Sequence, residues 1–66
     1  MNALEYDIRA GHLDRVKRRM NVRGVDVDSR DPWGRTPLHL AAIYNQGEVA
    51  DFLLARGASR FAYDRW

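Results

Sequence analysis

Apolar residues recur along this chain at helical spacing in four short stretches, each followed by turn residues. Leu4 and Ile8 stand four apart, so residues 3–10 read as a first helix, with Asn2 as N-cap and Gly11 as its stop. Leu13, Val16 and Met20 form one stripe of a second helix, residues 13–20. Arg15, Lys17, Arg18 and Arg19 fall off that stripe, and Gly24 closes the region. Residues 36–44 read as a third helix. The Thr36 hydroxyl can cap an orphan backbone N–H, and the fixed φ of Pro37 suits the first helical position. Leu38, Ala41 and Ala42 then share a face, and the paired alanines leave room for a second helix to approach closely. Asn45, Gln46 and Gly47 make a turn. Residues 48–56 read as a fourth helix with Val49, Phe52 and Leu53 inward and Gly57 just past its end.

Between the second and third helices the pattern changes. Val25 and Val27 alternate with aspartates, and Asp31-Pro32-Trp33-Gly34 is turn chemistry. The stretch reads as a short β-like finger. The chain also repeats itself. Asp31-Pro32-Trp33 returns as Asp64-Arg65-Trp66, 33 residues on, and Gly24 returns as Gly57.

The run from Asp31 through Thr36-Pro37-Leu38-His39-Leu40-Ala41-Ala42, continued by Val49 to Ala58, resembles one complete ankyrin repeat. Asn45 stands where that family usually has Gly, and Asn is the best substitute in a left-handed conformation. Arg9 to Val16 is similar to the inter-helix turn and second helix of a degenerate repeat that lacks the Thr-Pro-Leu-His block. Arg18 and Arg19 stand where an internal repeat would carry leucines, so this unit resembles an N-terminal cap with a polar outer face. The resemblance implies an all-α fold. It would be an ankyrin-repeat solenoid fragment of two helix-turn-helix units with short β-like finger loops. Residues 1–30 would be the capping repeat, 31–63 the full repeat, and 64–66 the start of a truncated next finger, all in one small domain. Such a chain falls short of the three or so repeats that usually close a continuous core. Its open C-terminal end calls for a cover: the tail aromatics Phe61, Tyr63 and Trp66, a second copy, or a partner protein.

Composition narrows the function. The 66 residues contain no cysteine, which excludes disulfides and cysteine-based zinc sites. No apolar run approaches the roughly 20 residues of a membrane span, and residues 1–7 lack the basic and apolar regions of a signal peptide. The expectation is a soluble, cytoplasmic protein. His39 sits within the repeat signature and His12 at an inter-helix turn, where the resemblance implies structural roles. Ser29 and Ser59 have no nucleophile motif around them. The aspartates from Asp26 to Asp31 do not make a calcium loop, because its sixth and twelfth positions would be Asp31 and Pro37 rather than Gly and Glu. No enzyme chemistry, metal or cofactor is expected.

The resemblance also implies where a partner would bind, on a concave face built from finger tips and the ends of first helices. Carried over by position, that face holds Pro32, Trp33 and Arg35 from the finger, Ile43 and Tyr44 from the third helix, Arg9 from the first, and Arg65 and Trp66 from the truncated finger. Trp, Tyr and Arg dominate interface hot spots. The expected function is therefore a non-catalytic protein-interaction module, a small adaptor or inhibitor, whose partner carries acidic groups. Self-association through the open end is the second mode of partnership. Two alternatives stand beside it: a structural fragment of a longer array, and weak nucleic-acid binding through the basic 9–23 face.

Overall fold

A computed structural model describes residues 2–59. Four helices follow in order: α1 (Ala3–Arg9), α2 (Leu13–Met20), α3 (Pro37–Ile43) and α4 (Gly47–Ala55). Among the described residues there is no strand, and the fold is all-α. Helices this short are marginal alone in water, so their stability comes from each other. The hairpins α1–α2 and α3–α4 stack so that α1 lies against α3 and α2 against α4. The result is an inner layer of first helices and an outer layer of second helices. Ile8, Val16, Met20, Leu38, Leu40, Ala41, Val49, Ala50, Leu53 and Ala58 form the core between them. Phe52, expected inward, is half-buried at its edge, as are Leu4 and Leu13.

Local chemistry sets the helix ends. Asn2 Oδ1 accepts from the Glu5 backbone N–H at 2.7 Å, capping α1 as expected. Thr36 is extended, with ψ of 167°, so it caps α3 instead of joining it. Its hydroxyl accepts from His39 N–H at 3.3 Å, while His39 Nδ1 accepts from Thr36 N–H at 3.0 Å. This reciprocal pair is a capping box with histidine in the usual place of Glu or Gln. Thr36→Ala is expected to cost about 0.5–2 kcal/mol, the usual price of a lost N-cap, and a urea midpoint lowered without loss of helix at zero denaturant would report it. Asn45, with φ of 56°, takes the left-handed position after α3, where its short polar side chain is tolerated. There the Gln46 N–H reaches back to Ala41 C=O at 2.8 Å.

Polar ties join the two hairpins. Gln46 Nε2 donates to Arg9 C=O at 3.0 Å. This needs the bare backbone of Gly11, where an added Cβ would sit 3.1 Å from Gln46 Oε1. On the outer layer, Arg56 donates to Met20 C=O at 2.9 Å and to Asn21 Oδ1 at 2.6 Å. Ser59 N–H donates to Asp28 Oδ1 at 3.0 Å, tying the stretch after α4 to the finger. That finger is a hydrogen-bonded turn and not a ladder. Gly34 N–H reaches Asp31 C=O, and Asp31 N–H reaches Arg35 C=O, each at 2.9 Å.

Candidate functional site

The finger places the site's first residues. Asp31 Oδ1 accepts from the backbone N–H groups of Trp33 at 3.0 Å and Arg35 at 2.8 Å. Asp31 Oδ2 accepts from Arg35 Nε at 2.7 Å. One carboxylate thus holds both the turn and the arginine that leaves it. Burial acts against its charge, but the Arg35 backbone and side chain and the Trp33 N–H outweigh burial and hold the Asp31 pKa below its ordinary value. The same hydrogen bond, donated by Arg35 to Asp31, is the chief cause that raises the Arg35 pKa. The turn throws Trp33 outward. It is 77% exposed, and its ring takes the Arg35 guanidinium at 5.2 Å from its centroid.

A second carboxylate, Glu5 on α1, joins the finger to both inner helices. Glu5 Oε1 accepts from Arg35 Nη2 at 3.2 Å, and Oε2 accepts from the Tyr44 hydroxyl at 2.8 Å. Glu5 is buried although it is charged, because both of its oxygens are paired. The Glu5 hydrogen bond, followed by burial, pushes the Tyr44 hydroxyl above its ordinary pKa. Arg9, one α1 turn beyond Glu5, lies over the Tyr44 ring at 6.0 Å. A continuous chain of contacts therefore runs Trp33–Arg35–Glu5–Tyr44–Arg9, across the finger, α1 and α3.

Of the residues expected from sequence, Arg9, Trp33, Arg35 and Tyr44 are brought together in that chain. Pro32 is exposed beside Trp33 at the turn. Ile43, the last residue of α3, is 39% exposed and stands outside the contact chain. Arg65 and Trp66 lie outside the described residues, as do Phe61 and Tyr63. Arg35 is not offered to a partner as a bare charge, since Asp31 and Glu5 both hold it. Arg9 keeps no carboxylate within ion-pair distance among the described residues.

Sequence reasoning missed Glu5 and Asp31. The spacing of Asp31 from Arg35 was a visible signal for one pair. Nothing local pointed Glu5 toward residues 30 and 39 positions away. Asp7 was missed too. It is fully buried on the far flank of α1, where its Oδ2 accepts from Arg19 Nε at 2.6 Å. His12 Nδ1 stands 3.4 Å and Arg15 Nη1 3.7 Å from its Oδ1. The basic run on α2 therefore faces a carboxylate from α1 as well as Asp14. The His12 ring also meets Tyr6 edge-on, with centroids 5.9 Å apart.

Among the described residues, no cluster of His, Cys, Asp and Glu has metal-holding geometry. No helix there is long and apolar enough to cross a membrane.

Residues 20–66 match the family described as ankyrin repeats (many copies). Ankyrin repeat domain-containing protein 13B of Homo sapiens is 44% identical over 55 residues, 83% of this chain and 7% of that protein. Myotrophin of Xenopus tropicalis is 43% identical over 54 residues, 82% of this chain and 45% of that protein. A protein named putative glutaminase 2, from Caenorhabditis elegans, is 44% identical over 43 residues, 65% of this chain but only 7% of its own length. The chain thus spans less than half the length of each of these relatives.

Proposed function

This chain belongs to the ankyrin-repeat family, and from that premise we propose that it is a protein-binding module, an adaptor or inhibitor without chemistry of its own. Ankyrin repeats mediate protein–protein interaction and are typically non-catalytic. Under this reading the repeats divide at residues 30 and 63, and the binding face is Arg9, Pro32, Trp33, Ile43 and Tyr44, with Arg65 and Trp66 extending it. The similarity to a glutaminase covers too little of that protein to carry its activity here.

The observation that carries the reading is the exposure of Trp33 on a rigid support. A tryptophan 77% exposed at the tip of a turn held by Asp31, and set against a pinned guanidinium, presents a large apolar ring in a fixed place. Because the turn is already ordered, docking loses little side-chain entropy. Tyr44 offers its ring edge and Arg9 a positive charge, which suits a partner with acidic groups. Arg35 acts from behind as the support for Trp33.

The test is retention of partners from host lysate, nuclease-treated, by wild type and by Trp33→Ala. Trp33 supports no core residue, so the variant should melt as wild type does. Its affinity for the retained protein should fall about tenfold or more, as for an interface hot spot. Equal affinity in the folded variant sinks the site assignment. Tyr44→Ala is the poorer probe, because it also strips a partner from buried Glu5.

A further inference from the structure

A second surface lies where the start of α1, the end of α2 and the stretch after α2 meet, and the binding face above does not use it. Leu4, Met20, Val22 and Val25 line an open groove of about 420 Å³, together with Arg19, Asp26 and Ser29. Val22 is 59% and Val25 40% exposed, so the groove is apolar where it meets water. Arg19 and Val22 continue directly into a second depression of about 440 Å³, lined also by Arg15 and Arg18. An apolar trough thus runs into a basic shelf.

The charge of that shelf is answered only in part. Asp7, beneath it, takes the Nε of Arg19 and stands near Arg15. Arg18 has no carboxylate within ion-pair distance among the described residues. Asp26 is the one acidic residue lining the trough among the described residues, and it does not line the shelf. A partner that fills this surface must therefore bring apolar side chains for the trough and negative charge for the shelf.

We infer that this face of α2 and the start of the finger docks an acidic amphipathic segment of another protein, with apolar side chains in the Leu4–Met20–Val22–Val25 trough and carboxylates on Arg15 and Arg18. Charge complementarity selects this occupant over two others. A second copy placed by two-fold symmetry would bring two basic shelves into one interface, answered by only the two Asp26 carboxylates of the troughs. Single-stranded nucleic acid wants aromatic platforms beside its cations. The trough has none, and Phe52 on α4 already carries Lys17 and Arg56 over its ring at 5.9 and 6.0 Å.

The probe is a labelled helical peptide of about 15 residues, with leucines at i, i+3, i+4 and i+7 and glutamates elsewhere. Saturable binding to the whole chain is expected. Arg18→Glu and, separately, Val22→Asp should each weaken it about tenfold. Both side chains are exposed, so unchanged melting curves are the check on folding; Arg15 and Arg19 are left in place because they face Asp7. Exchanging the peptide's glutamates for glutamines should weaken binding as much. Three results overturn the inference. One is equal binding of the glutamine peptide. Another is stronger binding of an oligothymidylate that competes with the peptide. The third is a wild-type dimer in sedimentation that Val22→Asp converts to monomer.

Discussion

Leu38→Ala is expected to lower folding stability by about 2–5 kcal/mol, the cost of deleting a fully buried leucine side chain. A chain of this length has roughly 3–10 kcal/mol in all, so this one change removes much or all of the margin. Leu38 is completely buried at the start of α3, the helix that lies against both α1 and α4. Its loss opens a cavity where the two hairpins meet, and neither hairpin has another core to fall back on. Leu38→Met, which roughly keeps the volume, should cost less than about 1.5 kcal/mol. Urea titrations followed by far-UV circular dichroism would rank the two. Equal midpoints for Leu38→Ala and wild type would mean that the hairpins fold without the interface described.

The second large effect is in acid. Asp7 is fully buried, and its pKa is lowered chiefly by the Arg19 hydrogen bond, working against burial, with His12, Arg19 and Arg15 adding to the effect. Asp31 is lowered as well. A carboxyl group whose folded pKa lies below its unfolded value of ~3.9 stabilises the fold when ionised. That stability is present in full above the unfolded value and is lost as pH falls through the folded one. The contribution of these two carboxylates to the melting temperature should therefore hold level down to about pH 5 and fall away below about pH 4. Asp7→Asn should lower the melting temperature at neutral pH, because Arg19 then lacks its anion. It should also flatten the acid limb, leaving the part owed to Asp31. An Asp7→Asn variant with the wild-type acid limb would show that the Arg19 pair contributes nothing.

Taken one residue at a time, the helices were readable. Asn2, Thr36 and Pro37 sit where their chemistry predicts, since caps and turns are decided by neighbours within a few positions. The stripe Leu13, Val16, Met20 marks α2 without error, and α4 moves by a single residue at each end, within the fraying of any short helix. The finger was less well read. Its alternation suggested strand character, but its backbone hydrogen bonds are those of turns, Gly34 N–H to Asp31 C=O and Asp31 N–H to Arg35 C=O, and the Asp31 side chain holds the same turn.

Of the residues expected on the candidate face, position could be read from the sequence and contacts could not. Trp33 and Tyr44 could be named from position. Only stacking showed that Trp33 stays exposed while Tyr44 and Arg35 are bound inward to Glu5. The basic run on α2 read as a uniform charged face. Packing gave Arg19 to Asp7 and left Arg18 free of any such pair among the described residues.

By itself the sequence determined the helical register, the caps, the turn residues and the repeat to which they belong. Each of these rests on interactions that span at most about one helical turn. The tertiary structure alone decided which charges are spent inside the protein and which remain for a partner. That outcome depends on side chains 12, 30 and 39 residues apart meeting at 2.6–3.2 Å. Such meetings exist only after α1 has been laid against α2 and α3, when a buried carboxylate must find its cation or remain uncompensated.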